Sequence, residues 1–241
     1  MNDTYASPQS NLVDTSTNHQ SLEDAIAGNY QLNIGNIFSE AWAKTKGIKR
    51  YIIGAGAIMY TLFFAAVFII TLVFNPSGEP SASSILAQMV IQLIFMVIII
   101  PFLAGIFMMS CKKAQGQPFE FGDAFSGYGK TVPLLIAAIL MNILATIGFI
   151  LLIIPGIYLS VAYMFTVPLI VDRDMSPWQA METSRKTLTK HWFKFLLFLL
   201  AMVLIMVVSA IPAGIGLIWT APMMALAYAI AYREVFGLES V

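Results

Sequence analysis

The sequence predicts an all-α, six-span transmembrane bundle, and three observations lead there. Charged residues vanish from four long windows, basic clusters separate those windows, and turn-forming residues punctuate the longer ones. Asp, Glu, Lys and Arg are absent from Tyr51–Gly78, Pro80–Cys111, Thr131–Val171 and Phe195–Tyr232. One crossing takes about 20 apolar residues. The first two windows therefore hold one crossing each, and the last two, 41 and 38 residues long, each hold a helical hairpin. Only 11% of the chain is charged, against about 25% in soluble domains. The apolar excess has to meet lipid.

Residues 1–30 are polar and read as a disordered cytoplasmic tail. The membrane domain follows over 31–237, and 238–241 is a short C-terminal tail. From Ile34 the apolar positions Ile34, Ile37, Phe38, Ala41 and Trp42 recur at helical spacing. Lys44, Lys46, Lys49 and Arg50 come next. This is the pattern of an amphipathic helix in the membrane interface. Its basic cluster either orients the first span or also attracts anionic headgroups.

The spans are expected near 51–74, 85–109, 131–153, 157–171, 193–211 and 215–232. Asn75–Pro80 is a breaker-rich loop after the first, and Pro101 should kink the second. Phe119–Tyr128 alternates aromatic and acidic residues and suits a short interfacial helix. Pro155-Gly156 is expected to make the reversal between spans three and four. Asp172-Arg173-Asp174 marks the exit of span four, either as a plain helix stop or as an ion-paired knot with Arg185 or Lys186. Ser176-Pro177 with Gln179 reads as a capping box opening another amphipathic helix. On that helix Met181, Ser184, Leu188, Trp192 and Phe195 share one face.

All thirteen Lys and Arg fall before span one, between spans two and three, between spans four and five, or after span six. The positive-inside rule then puts both termini in the cytoplasm. An interfacial segment leading into a hairpin occurs three times, over Ile34–Met109, Phe119–Val171 and Ser176–Tyr232, as parallel pseudo-repeats.

Chemistry-bearing residues are sparse. His19 is alone in the tail, His191 sits among Lys190, Trp192 and Lys194, and Cys111 is the single cysteine, which excludes an intramolecular disulfide. Walker, G-x-S-x-G and C-x-x-C motifs are absent. No catalytic, metal or cofactor site is expected, and no enzyme. With a net charge of zero, no nucleic-acid partner is expected either. Gln88 and Gln92 in span two, and Asn142 and Thr146 in span three, are the intramembrane polar candidates. They serve either helix packing, with Gln92 bonded to Thr146, or a polar substrate cavity. Arg185, Lys186 and Lys190 are the candidate contacts to anionic lipid headgroups of the bilayer.

Gly148–Leu159 (GFILLIIPGIYL), Pro168–Asp172, Ser176-Pro177 with Ala180 and Ser184, Trp192, and the ending Tyr232–Gly237 form a combined pattern. It resembles a broad set of bacterial membrane domains. The set includes the membrane domain fused to some glycerophosphodiester phosphodiesterases and the YciC-like proteins. The resemblance covers roughly residues 108–237 and implies a six-helix inner-membrane protein without assigned catalytic residues. The phosphodiesterase domain has no counterpart in this chain, so no hydrolase activity is carried over. The expected role is a membrane scaffold or envelope-maintenance factor, with a transporter or channel for a small or lipidic molecule as the alternative.

Overall fold

The computed structural model describes residues 21–74 and 82–239. Among them the chain forms nine α-helices and one 3-10 segment, with no strand. The helices are α1 (Leu22–Ala27), α2 (Ile34–Phe74), α3 (Ala82–Ala114), α4 (Thr131–Leu151), α5 (Ile153–Ala162), α6 (Thr166–Arg173), α7 (Pro177–Lys190), α8 (Trp192–Ala210) and α9 (Leu217–Phe236). The 3-10 segment is Phe121–Lys130, between α3 and α4.

Five helical stretches are long and apolar enough to cross a membrane: Ile34–Phe74, Ala82–Ala114, Phe121–Leu151, Ile153–Arg173 and Trp192–Ala210. The sixth expected span corresponds to α9, a 20-residue helix outside that set. Thr220, Pro222, Tyr228, Tyr232, Arg233 and Glu234 dilute its apolar character. The reason is positional. Helix α9 packs against α2, α3 and α8, and Leu226, Ala227, Ala229, Ile230, Ala231, Tyr232, Val235 and Phe236 are fully buried. A helix wrapped in protein does not need a lipid-soluble surface.

The tail expected over residues 1–30 is corrected over its last ten. Ser21 caps α1 by accepting a bond from the Asp24 amide at 3.0 Å, and Gly28 ends it at φ 90°. Ala25, Tyr30 and Leu32 are buried, and the Tyr30 hydroxyl donates to the Thr187 carbonyl at 2.9 Å. Burial there pushes the Tyr30 phenol above its ordinary range. The earlier part of that tail, with His19, and the Asn75–Pro80 loop lie outside the described residues.

Helix α2 is two helices joined at Lys46 (ψ 126°) and Gly47 (φ 97°), a positive φ that glycine adopts without a Cβ clash. The first arm, Ile34–Thr45, buries Ile37 and Ala41 against the bundle, and Phe38 meets Phe198 of α8. Trp42 lies off that face and is 58% exposed. The break falls inside the basic cluster, between Lys44 and Lys49, ahead of the charge-free window that starts at Tyr51.

The 3-10 segment lies directly on α3 around Pro101. A Cβ on Gly105 would stand 2.2 Å from the Ala124 carbonyl oxygen, and one on Gly127 would stand 2.1 Å from the Pro101 oxygen. Only glycine permits that approach. Tyr128 donates to the Ile98 carbonyl at 2.9 Å in the turn before Pro101.

The reversal between α4 and α5 is not at Pro155-Gly156. A single extended residue, Leu152 (φ −160°, ψ 147°), makes it, and Pro155 sits inside the first turn of α5, where its missing N–H costs nothing. Past Ala162 the return stretch breaks until Thr166. Side chains satisfy the backbone groups freed there. Ser184 donates to the Ala162 carbonyl at 2.7 Å and accepts from the Phe165 amide at 3.2 Å. Tyr228 donates to the Met164 carbonyl. In lipid an open break of this kind would cost several kcal/mol per group.

Helix α7 has its expected buried face, with Met181, Ser184 and Leu188 covered. Ser176 stands in N-cap geometry, but its hydroxyl makes no capping bond, so the expected capping box with Gln179 is not formed. Pro177 at the first helical position fixes the start of the helix instead.

Candidate functional site

The acidic-basic knot at Asp172–Asp174 forms, but with other partners than Arg185 or Lys186. The Asp172 carboxylate is fully buried as a side chain. It accepts from the Tyr232 hydroxyl at 2.8 Å and from the Glu239 amide at 3.2 Å. Arg173 binds Glu239 at 2.7 Å and the Phe236 carbonyl, and Asp174 pairs with Lys130 at 2.9 Å. Nearby, Arg233 grips Glu40 through both guanidinium nitrogens at 3.0 and 2.9 Å, and Lys44 joins the same carboxylate at 2.8 Å. These pairs tie the last turn of α9 to α6 and to the first arm of α2. They are structural ties, since each carboxylate and each cation in them is paired with another residue of the chain.

Of the headgroup candidates, Arg185 donates twice to Glu182 at 2.8 Å, and Lys186 lies 3.4 Å from the same carboxylate. The Arg185 hydrogen bonds hold the Glu182 carboxyl down to about 2. Lys190 makes no such pair and is exposed. Gln88, Gln92, Asn142 and Thr146 are all exposed on the outer faces of α3 and α4. Asn142 folds back to the Ala138 carbonyl at 2.9 Å on its own helix. No hydrogen bond joins Gln92 to Thr146 among the described residues. Cys111 is buried, and no three metal-ligating side chains come together among the described residues.

The bundle centre is filled with rings. Phe165 is fully buried and touches Phe195, Tyr228, Tyr232 and Phe236 at centroid distances of 5.8, 5.4, 5.6 and 6.0 Å. Phe107 closes on Tyr228 and Tyr232 from α3. One cleft of about 150 Å³ lies between α2 and α3 and is entirely apolar, lined by residues such as Met59, Phe63, Ile91 and Phe95. A second, of about 250 Å³, is lined by Trp42, Thr45, Lys46, Lys49 and Trp219. Neither cleft is lined by any of the four intramembrane polar candidates.

Seven of the thirteen cations are ion-paired: Lys44, Lys112, Lys130, Arg173, Arg185, Lys186 and Arg233. The other six, Lys46, Lys49, Arg50, Lys113, Lys190 and Lys194, make no ion pair among the described residues. Four of these six gather at the break in α2. Three of the four lie over aromatic rings: Lys49 over Trp219 at 4.0 Å, Arg50 over Tyr51 at 4.8 Å and Lys113 over Phe119 at 5.7 Å. Sequence reasoning singled out the basic cluster at 44–50 but not its partners. Trp219 is 170 positions from Lys49, and no local pattern links them.

No protein-family model, curated protein or solved structure matches the chain.

Proposed function

We propose that this chain is a multi-span scaffold or envelope-maintenance factor of a bacterial inner membrane, non-enzymatic, with both termini in the cytoplasm. The observation that carries the reading is the fully buried ring cluster around Phe165, which packs the end of the bundle where α6, α7 and the last turn of α9 meet, beside polar span residues that all face outward. A transporter needs a polar route through its middle, with Gln88, Gln92, Asn142 or Thr146 along it. In this reading the Lys49–Trp219 contact sets the start of α9 level with the basic cluster, so α8 and α9 form a hairpin that enters from the cytoplasmic side. The segregation of all thirteen Lys and Arg supports an even number of crossings. The resemblance of residues 108–237 to bacterial inner-membrane domains supports the location.

The bilayer is the proposed partner, with anionic lipids at the basic end. Of the α7 trio, Lys190 keeps its charge free for a headgroup, whereas Arg185 and Lys186 share theirs with Glu182.

Cysteine accessibility tests the reading, because the single native thiol, Cys111, is buried and silent. Gln92→Cys and Thr146→Cys in proteoliposomes should stay unreactive toward a membrane-impermeant maleimide. Fast labelling at both positions would establish an aqueous path and overturn the scaffold reading.

A further inference from the structure

We propose that the cleft between the first arm of α2 and the start of α9 is a binding site for a phosphate-bearing anionic headgroup, that of an anionic phospholipid. The proposal rests on the reading that this end of the bundle meets the lipid headgroups. The cleft is lined by Trp42, Thr45, Lys46, Lys49 and Trp219, with no carboxylate among them. The acid on the same arm, Glu40, is consumed by Arg233 and Lys44. Two positive charges therefore face one small cavity without an internal counter-ion, Arg50 follows Lys49 in sequence, and the Lys113 Nζ lies 3.8 Å from where a Cβ on Gly47 would stand.

Size and chemistry narrow the ligand. At about 250 Å³ the cleft falls below the range of roughly 300–1,000 Å³ that encloses drug-sized molecules. A headgroup fits it, with its chains left outside. The Thr45 hydroxyl already donates to the Ala41 carbonyl at 2.8 Å, so the polar contacts fall to the two ammonium groups. The Lys49 ammonium nitrogen lies 4.0 Å from the centroid of the Trp219 ring, which positions the charge in the cleft, and it has no carboxylate partner among the described residues. Trp42 and Trp219 are 58% and 45% exposed, the half-wet setting in which tryptophan marks a membrane interface. The charge-free stretch starts at Tyr51, two residues past Lys49, and carries the exposed apolar residues Ile58, Leu62 and Ile69. Acyl chains can lie along that face while the phosphate sits between the lysines.

Native mass spectrometry of the full-length chain released from detergent tests this. The probes are dioleoyl phosphatidylglycerol, dioleoyl phosphatidylcholine and inorganic phosphate. The phosphatidylglycerol adduct should exceed the phosphatidylcholine adduct. Lys46→Gln/Lys49→Gln should weaken it roughly 30-fold, at about a fivefold loss per surface lysine. Lys46→Arg/Lys49→Arg should retain it, which separates lost charge from lost folding. Lys130→Gln/Lys194→Gln should change it less than about twofold. Lysine-dependent binding of inorganic phosphate at comparable strength would keep the anion site and assign it to the free ion. Equal retention of both lipids, or equal loss in the two double Gln variants, would overturn the proposal. A chain that inserts normally with no lipid preference sinks the cleft alone, whereas failure to insert sinks the membrane reading beneath it.

Discussion

The two ends of this bundle are stabilised by different means. At the polar end α1, the first arm of α2, the 3-10 segment, α6, α7 and the last turn of α9 interlock through buried hydrogen bonds and ion pairs. At the apolar end the α2–α3 hairpin holds mainly to itself, with Phe63 and Phe95 at 4.0 Å. Ile58, Leu62, Phe64, Phe68, Ile69, Leu72, Leu86, Met89, Val90 and Leu93 are all more than half exposed. Lipid supplies there what protein supplies at the other end. Substitutions at the polar end should therefore be felt strongly, and those at the apolar end weakly so long as they stay apolar.

Asp172→Ala should be the most damaging single change. It leaves the Tyr232 hydroxyl and the Glu239 amide without their acceptor and Arg173 with Glu239 alone, and removing one partner of a buried charge pair costs about 3–5 kcal/mol. Unfolding in detergent against increasing sodium dodecyl sulfate reads that loss, and a change as small as that of Gln92→Ala would erase the contrast between the ends.

Glycines give a second contrast. Gly105→Ala pushes a Cβ to 2.2 Å from the Ala124 carbonyl oxygen and should cost roughly 1–3 kcal/mol as the 3-10 segment lifts off α3. Gly54→Ala and Gly56→Ala meet nothing within 4 Å in the apolar hairpin. They should be neutral, or stabilising by up to about 1 kcal/mol. Thermal unfolding of the three variants side by side would sharpen or break the comparison.

Ser184→Ala strips both backbone partners at the break after Ala162 and should cost about 1–3 kcal/mol. Hydrogen exchange at the Phe165 amide is the direct readout, and unchanged protection there would show that α7 does not seal the break.

The smallest expected effect is pH-dependent. Arg185 holds the Glu182 carboxyl at about 2, below its ordinary 4.5. A depressed folded value means that the contribution is fully present above 4.5 and fades as pH falls toward 2. Glu182→Gln should lower stability modestly at neutral pH, where the pair is intact, and converge with wild type as pH falls toward 2, which flattens the acid window. An acid titration of wild type and variant that superimpose would remove this pair from the account.

The spans were legible because lipid exposure writes itself into composition. The windows at 51–78, 80–111 and 131–171 and the first half of 195–232 hold most of the five stretches long and apolar enough to cross a membrane. What was not legible is whatever depends on distant parts of the chain. The apolar face of α7 was readable from Met181, Ser184 and Leu188, but its role in sealing the break after Ala162 needed the Ser184 contacts. Residues 21–30 looked like more polar tail because the surface that orders them, Thr187 and His191, lies about 160 positions away. Pro155-Gly156 looked like a turn, yet the tight approach of Gly148 to Gly156 lets Leu152 alone reverse the chain. Arg185 and Lys186 looked like free cations, but Glu182, one turn away, pairs with both. Lys46 and Lys49 looked like a topogenic cluster, and only the fold supplied Trp219.

The most direct test of the two-ended account is collision accessibility of spin labels in proteoliposomes. Labels at Leu62 and Gln92 should favour oxygen, the lipid-soluble probe, and a label at Lys190 should favour an aqueous nickel chelate. Aqueous accessibility at Gln92 equal to that at Lys190 would contradict the account.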